Sequence, residues 1–252
     1  MEVDYESVEI LTAALEGQDV VICALGMGTD ASVHNQLIDA AVAAKVKRFI
    51  PSEFGLDSLN PLTRQLPVYE NKLKVLNHLE ERTLRSSMTY TYVINSVFLD
   101  WGLRNNFILD LSQHKPTIFG SGDEAFSTTT MATAAKVVVG VLQHYDETKN
   151  RAIYVQDAVV TQNKLLAIAK KYSPGKVWEP VHVDLAELKA ESDAKFEQGT
   201  YDISTLYSYL FVAIFQESYG GRLERTDNDL FDIQEMTEEE IEEVVKTYLP
   251  KS

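Results

Sequence analysis

The sequence predicts an α/β protein: a parallel, helix-wrapped sheet over residues 1–160, then a smaller, mainly helical part over residues 161–252. Three observations predict it. Apolar runs of helical and strand period alternate from the first residues to about residue 160. The run from Asp19 to Leu25 is apolar on both faces, as a central strand between two layers of helices must be. Beyond residue 160 the alternation fades and helix signals dominate.

The elements follow in order. Val8, Leu11 and Leu15 recur at helical spacing, and Gly17 is suited to end that helix. The Asp19–Leu25 strand comes next, broken by Gly26-Met27-Gly28. A second helix is expected over about Ser32 to Ala44, and a short strand over Arg48-Phe49-Ile50, stopped by Pro51. A third helix spans about Tyr69 to Arg85, with Leu73, Leu76 and Leu79 along it. Thr89 to Ile94 is rich in strand formers. Later come a strand at Thr117-Ile118-Phe119, a helix near Ala132 to His144, a strand at Ala152 to Val155, and a helix capped by Thr161 and running to Lys171. In the last part Asp184 with Glu187, and Thr237 with Glu240, stand at capping-box spacing. The final helix places Ile241, Val244, Val245, Tyr248 and Leu249 on one face.

Composition narrows the functional classes. Hydrophobic residues at 45% and charged residues at 24% are ordinary for a soluble globular chain. A formal net charge of −15 repels nucleic acid unless a local basic patch exists, and the nearest candidate, Lys45, Lys47 and Arg48, reads as a loop edge beside a strand. The acidic run Glu238 to Glu243 reads as a solvated helix face. The single cysteine, Cys23, lies in an apolar run and is read as a buried structural thiol. His34, His78, His114, His144 and His182 are scattered without metal-ligand spacing. The acidic start carries no signal-peptide pattern, and no apolar stretch reaches the ~20 residues that span a bilayer, so no membrane partner and a cytoplasmic location are expected. Oligomeric state is not specified.

In open α/β sheets, ligands bind beyond the carboxyl ends of the strands. Three strand ends therefore matter: Ala24-Leu25-Gly26-Met27-Gly28, Pro51-Ser52-Glu53-Phe54-Gly55 and Asn95-Ser96-Val97-Phe98. Gly26 and Gly28 allow close approach of a ligand to backbone; a simple turn explains them equally well. Ser52 lacks a Gly-x-Ser-x-Gly context, which leaves a hydrolase poorly supported.

The stretch Val46-Lys47-Arg48-Phe49-Ile50-Pro51-Ser52-Glu53-Phe54-Gly55 resembles the signature of isoflavone reductase-like proteins, within the NmrA-like group of atypical short-chain dehydrogenases. Leu15 to Ile22 resembles the lead into that family's fourth strand, and Thr89 to Val93, followed by a small polar residue and Phe98, its sixth-strand motif. Asp227-Asn228 and the acidic last helix resemble the tail of fungal members. The resemblance implies a Rossmann-like fold, NADP(H) as cofactor and a small-molecule substrate. The cofactor contacts it implies are Ala24, Leu25, Gly26, Pro51, Ser52, Glu53, Phe54, Lys72, Asn95, Val97 and Phe98. It also implies that Lys72, on the helix after the Pro-Ser-Glu-Phe-Gly loop, acts in proton transfer. A lysine facing an apolar cleft beside a charged nicotinamide ring has its ammonium form disfavoured, which suits it to exchange a proton near neutrality. The alternative is an exposed helix lysine like Lys74. The usual Tyr–Lys pair four positions apart is absent, since Val68 stands at that place and Tyr69 is three before Lys72.

Such proteins open with a strand, a glycine-rich turn and a helix that hold the cofactor pyrophosphate. No G-x-G-x-x-G occurs here, and the chain starts, near Val3, where a third strand would end. About 60 residues of strand-helix-strand-helix-strand opening are therefore expected ahead of it. Without them the Val20–Ala24 strand lacks its partner, and a marginally stable, poorly soluble chain is expected. The functional expectation is an NAD(P)H-dependent reductase acting on a small aromatic or conjugated acceptor, with Phe54 and Phe98 as apolar wall. Tyr201, Tyr207, Tyr209, Phe211 and Phe215 supply either a lid or simple helix core. The alternatives are a dinucleotide-binding regulator without catalysis and an inactive truncated member.

Overall fold

The computed structural model describes residues 3–200 and 202–250. Met1, Glu2 and Tyr201, the last of which was expected in a lid, lie outside the described residues. Helix α1 (Val8–Leu15) leads to strand β1 (Val20–Ile22), helix α2 (Ala31–Ala43) and strand β2 (Arg48–Ile50). Then come α3 (Glu70–Leu84), β3 (Thr89–Ile94), β4 (Val97–Phe98), α4 (Leu99–Arg104), β5 (Thr117–Phe119) and β6 (Phe126–Thr129). The chain continues through α5 (Met131–Gln143), β7 (Arg151–Tyr154), β8 (Ala158–Val160), α6 (Gln162–Lys171) and β9 (Val181–Val183). It ends with α7 (Leu185–Glu197), α8 (Ile203–Phe215) and α9 (Glu238–Thr247).

The main sheet has four parallel strands in the order β1-β2-β3-β7. Its register sets Val20 beside Arg48, Arg48 beside Thr89, and Thr91 beside Arg151. All carboxyl ends thus face one way. Among the described residues β1 pairs with β2 alone, and Ile22 is 47% exposed. A second sheet, β4-β6-β8, starts where the chain leaves β3 through Ser96, whose φ of 53° turns the backbone left-handed. A third pairs β5 with β9.

Local chemistry explains the boundaries. Gly17, at φ 75°, turns the chain after α1 without a Cβ penalty. Ser7, Asp30, Thr130, Thr161, Asp184 and Asp202 each accept a first-turn amide of the following helix. Thr237 and Glu240 form a reciprocal capping box at α9.

Three apolar clusters hold the molecule together. One lies under α1, α2 and α3 around Leu37, Ile38, Phe49 and Leu79. A second packs α5 on β2, β3 and β7 through Val137, Val141 and Ile153. The largest gathers Leu103, Phe126, Leu165, Tyr209 and Ile241, drawing on residues from both sides of residue 160. Here Tyr209 is fully buried, and Phe211 and Phe215 stack on Phe119.

The suspected basic edge is no patch. Lys47 pairs with Asp19 at 2.8 Å, and Arg48 is fully buried. Among the described residues no helix is long and apolar enough to cross a membrane, and no cluster of His, Cys, Asp or Glu could hold a metal ion.

Candidate active site

A cleft of about 950 Å³ opens at the carboxyl ends of β1, β2 and β3, within the size range of small-molecule sites. Its lining is mainly apolar. The three strand tips meet there. Ala24, Leu25 and Gly26 come from the first, Ser52, Glu53 and Phe54 from the second, Val97 and Phe98 from the third, and Lys72 reaches in from α3. Pro51 and Asn95 do not line it. Pro51 is buried behind Ser52, and Asn95 is fully buried while Ser96 takes the lining position after the left-handed turn.

Hydrogen bonds tie the tips to one another. The Ser52 hydroxyl donates to the Leu25 carbonyl at 2.7 Å, joining the first tip to the second. The Glu53 amide donates to the Pro51 carbonyl at 2.8 Å, a tight turn that swings the Glu53 side chain inward. Glu53 is 2% exposed, and Ser58 donates to one of its carboxylate oxygens. Lys72 Nζ donates to the Glu53 carbonyl at 3.3 Å and lies 3.7 Å from the other carboxylate oxygen. One residue therefore holds the amine with both backbone and side chain. Lys74, by contrast, projects from the same helix into solvent and pairs with Glu70 at 2.7 Å.

The groups around this pair are tuned by burial. His34 lines the cleft with Nδ1 3.6 Å from Cys23 Sγ. Burial, then the nearby charge of Lys72, pushes its imidazole below the usual value, and burial pushes the Cys23 thiol up. Asp57 accepts from the Leu59 amide at 3.0 Å and from the Tyr154 hydroxyl at 3.5 Å. Its carboxyl is pushed up chiefly by burial, with the charge of Glu53 adding to the effect. Burial and the charge of Asp57 push the Tyr154 phenol up to about 12.

The outer part of the cleft is aromatic. Trp101 packs edge-on to Phe107 at 5.6 Å, and Phe107 meets Tyr207 at 5.4 Å; all three line the cleft. Of the described aromatic residues expected in a lid, Tyr207 reaches the cleft wall, while Tyr209, Phe211 and Phe215 belong to the core behind it. Residues that the strand-tip reasoning passed over are His34, Tyr69, Trp101 and Phe107, and Ser96, named in the third tip, was not among the expected cofactor contacts. His34 sits on a helix facing the tips. Tyr69 ends a 3-10 turn, Pro67–Tyr69, that leads directly into α3.

Comparison with known proteins places the chain in a family. The model of the NmrA-like family matches residues 1–203, and the chain belongs to that family. It is 30% identical over 250 residues to oxidoreductase aprR of Aspergillus flavus, covering 97% of this chain and 81% of that one. It is 28% identical over 193 residues to isoflavone reductase of Medicago sativa, covering 73% of this chain and 58% of that one, less than two thirds of the relative's length. Among solved structures, AtPrR2 with NADP+ and (+)pinoresinol shares the fold at a TM-score of 0.74 and 22% identity, over 98% of this chain and 80% of that chain.

Proposed function

We propose that the cleft is the nicotinamide and substrate site of an NADP(H)-dependent reductase acting on a small aromatic or conjugated acceptor. One observation carries this reading: among the described residues a single lysine, Lys72, enters a mainly apolar cleft at the strand ends and is held there by Glu53. Kinship to an oxidoreductase and an isoflavone reductase supports it, as does a shared fold with a protein solved with NADP+.

The residues present suit the nicotinamide side of such a cofactor. Leu25, Phe54, Val97 and Phe98 offer flat apolar contact, and a Cβ at Gly26 would meet nothing within 4 Å, leaving backbone open to a ring. The phosphates are a different matter, because the N-terminus of α2 is capped by the Asp30 carboxylate, which accepts from the Ser32 amide and opposes an anion. Of the two glycines after β1, Gly26 lines the cleft and serves the ring side, and Gly28 does not line it. NADPH, when bound, supplies the hydride. Lys72 Nζ then delivers the proton that completes the acceptor's reduction, and Glu53 keeps the amine aimed inward between turnovers. Trp101, Phe107 and Tyr207 exclude water and stack on an aromatic acceptor. In this reading residues 1–160 carry the cofactor side, and the part after residue 160 adds substrate wall through Leu206, Tyr207 and Leu210.

Titration of NADPH, followed by its own fluorescence, tests the reading when repeated with conjugated enones. Binding followed by oxidation, with Lys72→Ala retaining binding but losing turnover, is the expected result. Binding without turnover, unchanged by Lys72→Ala, would instead favour a dinucleotide-sensing regulator. Absence of binding would overturn both.

A further inference from the structure

Tyr69 is 3% exposed, yet its hydroxyl makes no hydrogen bond with any described residue. It is not sealed in the core either. Tyr69 lines the cleft, and its oxygen is absent from the unpartnered polar atoms that solvent cannot reach. A buried phenol without a partner costs stability, so an unpartnered hydroxyl on a residue that lines the cleft calls for explanation. Helix capping does not supply one: Tyr69 stands at the N-cap position of α3 without a side-chain cap bond. Its amide instead closes the 3-10 turn by donating to Leu66 at 2.9 Å. Because that turn runs straight into α3, residues three apart lie on one face. Tyr69 and Lys72 consequently enter the same cleft despite a spacing of three rather than four.

We infer that the Tyr69 hydroxyl is a hydrogen-bond donor for an oxygen atom of the substrate, and that it selects acceptors carrying a carbonyl beside an aromatic or conjugated apolar body. This rests on the reductase reading for the identity of the site, but its own chemistry is binding. The phenol keeps its proton. Burial, then the charges of Glu53 and Asp57, push its ionisation well above the ordinary range, so it stays a neutral donor at every working pH. Lys72 remains the group that moves a proton, and Tyr69 fixes the oxygen against which the acceptor is oriented.

The test compares two probes of nearly equal shape: chalcone, which carries a ketone between its rings, and 1,3-diphenylpropene, which lacks it. Their binding is followed by quenching of Trp101, which lines the cleft, with buried Trp178 as a constant background. Wild-type protein is expected to bind chalcone about tenfold more tightly, the worth of one hydrogen bond. Tyr69→Phe should bring that ratio to about one by weakening chalcone alone. Since the substitution removes no protein hydrogen bond, its thermal midpoint should equal or exceed that of the wild type. A ratio that persists in Tyr69→Phe overturns the inference. So does binding of neither probe, a lowered midpoint that reveals a structural role, or an equal loss of NADPH binding that assigns the hydroxyl to the cofactor. No turnover enters this assay. Failure of hydride transfer would sink the reductase reading and leave the Tyr69 result standing.

Discussion

The two ends of the parallel sheet each hold a cation out of full solvent, and they treat it in opposite ways. At the amino ends, Arg48 is fully buried with its donors engaged by neutral oxygens: Thr89 at 2.7 Å, Thr91 at 2.7 Å, Thr148 at 3.1 Å and the Tyr145 carbonyl at 2.7 Å. Its guanidinium also sits 4.0 Å from the centre of the Tyr145 ring. Burial pulls its ionisation down, but an arginine remains charged. At the carboxyl ends, Lys72 makes one long bond at 3.3 Å and faces a carboxylate at 3.7 Å, and the Tyr69 hydroxyl beside it has no hydrogen-bond partner among the described residues. A chain that can satisfy a buried arginine so fully has no difficulty satisfying a lysine. The slack lies at the end where the proposed ligand would complete the set, and the saturated end reads as scaffold.

That contrast is broken most forcefully from the saturated end. Arg48→Ala removes the fully buried guanidinium and the donors that three threonine hydroxyls and the Tyr145 carbonyl accept from, leaving a cavity among them, and should cost about 3–5 kcal/mol of stability although each hydroxyl keeps its own donation to a backbone carbonyl. Chemical denaturation measures it, and a loss below about 1 kcal/mol would mean the network is ornamental. At the slack end the same kind of deletion should cost the fold less and the chemistry more. Lys72→Ala leaves the buried Glu53 carboxylate without its counter-ion and is expected to cost about 1–2 kcal/mol, less than the loss at Arg48, while lowering turnover of an enone by about 10²-fold or more. Paired melting curves and steady-state rates decide this, and a variant that turns over normally would remove Lys72 from the mechanism.

The same contrast explains what the sequence discloses. β2, β3 and β5 have the residue limits their apolar runs indicate, because each run is short, β-branched or aromatic, and bounded by turn residues. Capping residues at Thr161, Asp184 and Thr237 are equally legible. β6 is not, since Phe126-Ser127-Thr128-Thr129 carries no alternation and is buried through hydroxyl bonds to Gln156, Ala158 and Asn95. β9 has exposed Val181 and His182 and exists through its pairing with β5, a partner far away in sequence. The strand tips of the site were readable because loop position follows strand order. Which side of a tip faces inward was not: the left-handed turn at Ser96 exchanges Asn95 for its neighbour, and a 3-10 turn brings Tyr69 beside Lys72.

Glu53→Gln sharpens the comparison with a smaller effect. Glutamine keeps the shape and can still accept from Ser58, while the charge opposite Lys72 is lost. If Glu53 positions the amine, turnover should fall about tenfold, with NADPH affinity retained. Conservation of the wild-type rate would leave the backbone carbonyl of Glu53 as the sole support of Lys72.

The subtlest effect is a pH slope from Asp57, a carboxylate that the slack end keeps partly from water. Its folded-state pKa lies above the ordinary 3.8, mainly because burial disfavours the anion. Between 3.8 and that raised value the native state holds a proton that the unfolded chain has released. Stability must then fall as pH rises through this window, and the penalty stays in place above it. Asp57→Asn cannot ionise, yet it keeps an oxygen for the Leu59 amide and the Tyr154 hydroxyl. Relative to wild type, the variant should therefore gain stability steadily as pH climbs from 3.8 and hold that gain at neutrality. Thermal midpoints of the two proteins across this range give the difference directly. A gap independent of pH would show that Asp57 is no more burdened than a surface carboxylate, and the tension ascribed to this end of the sheet would then rest on Tyr69 and Lys72 alone.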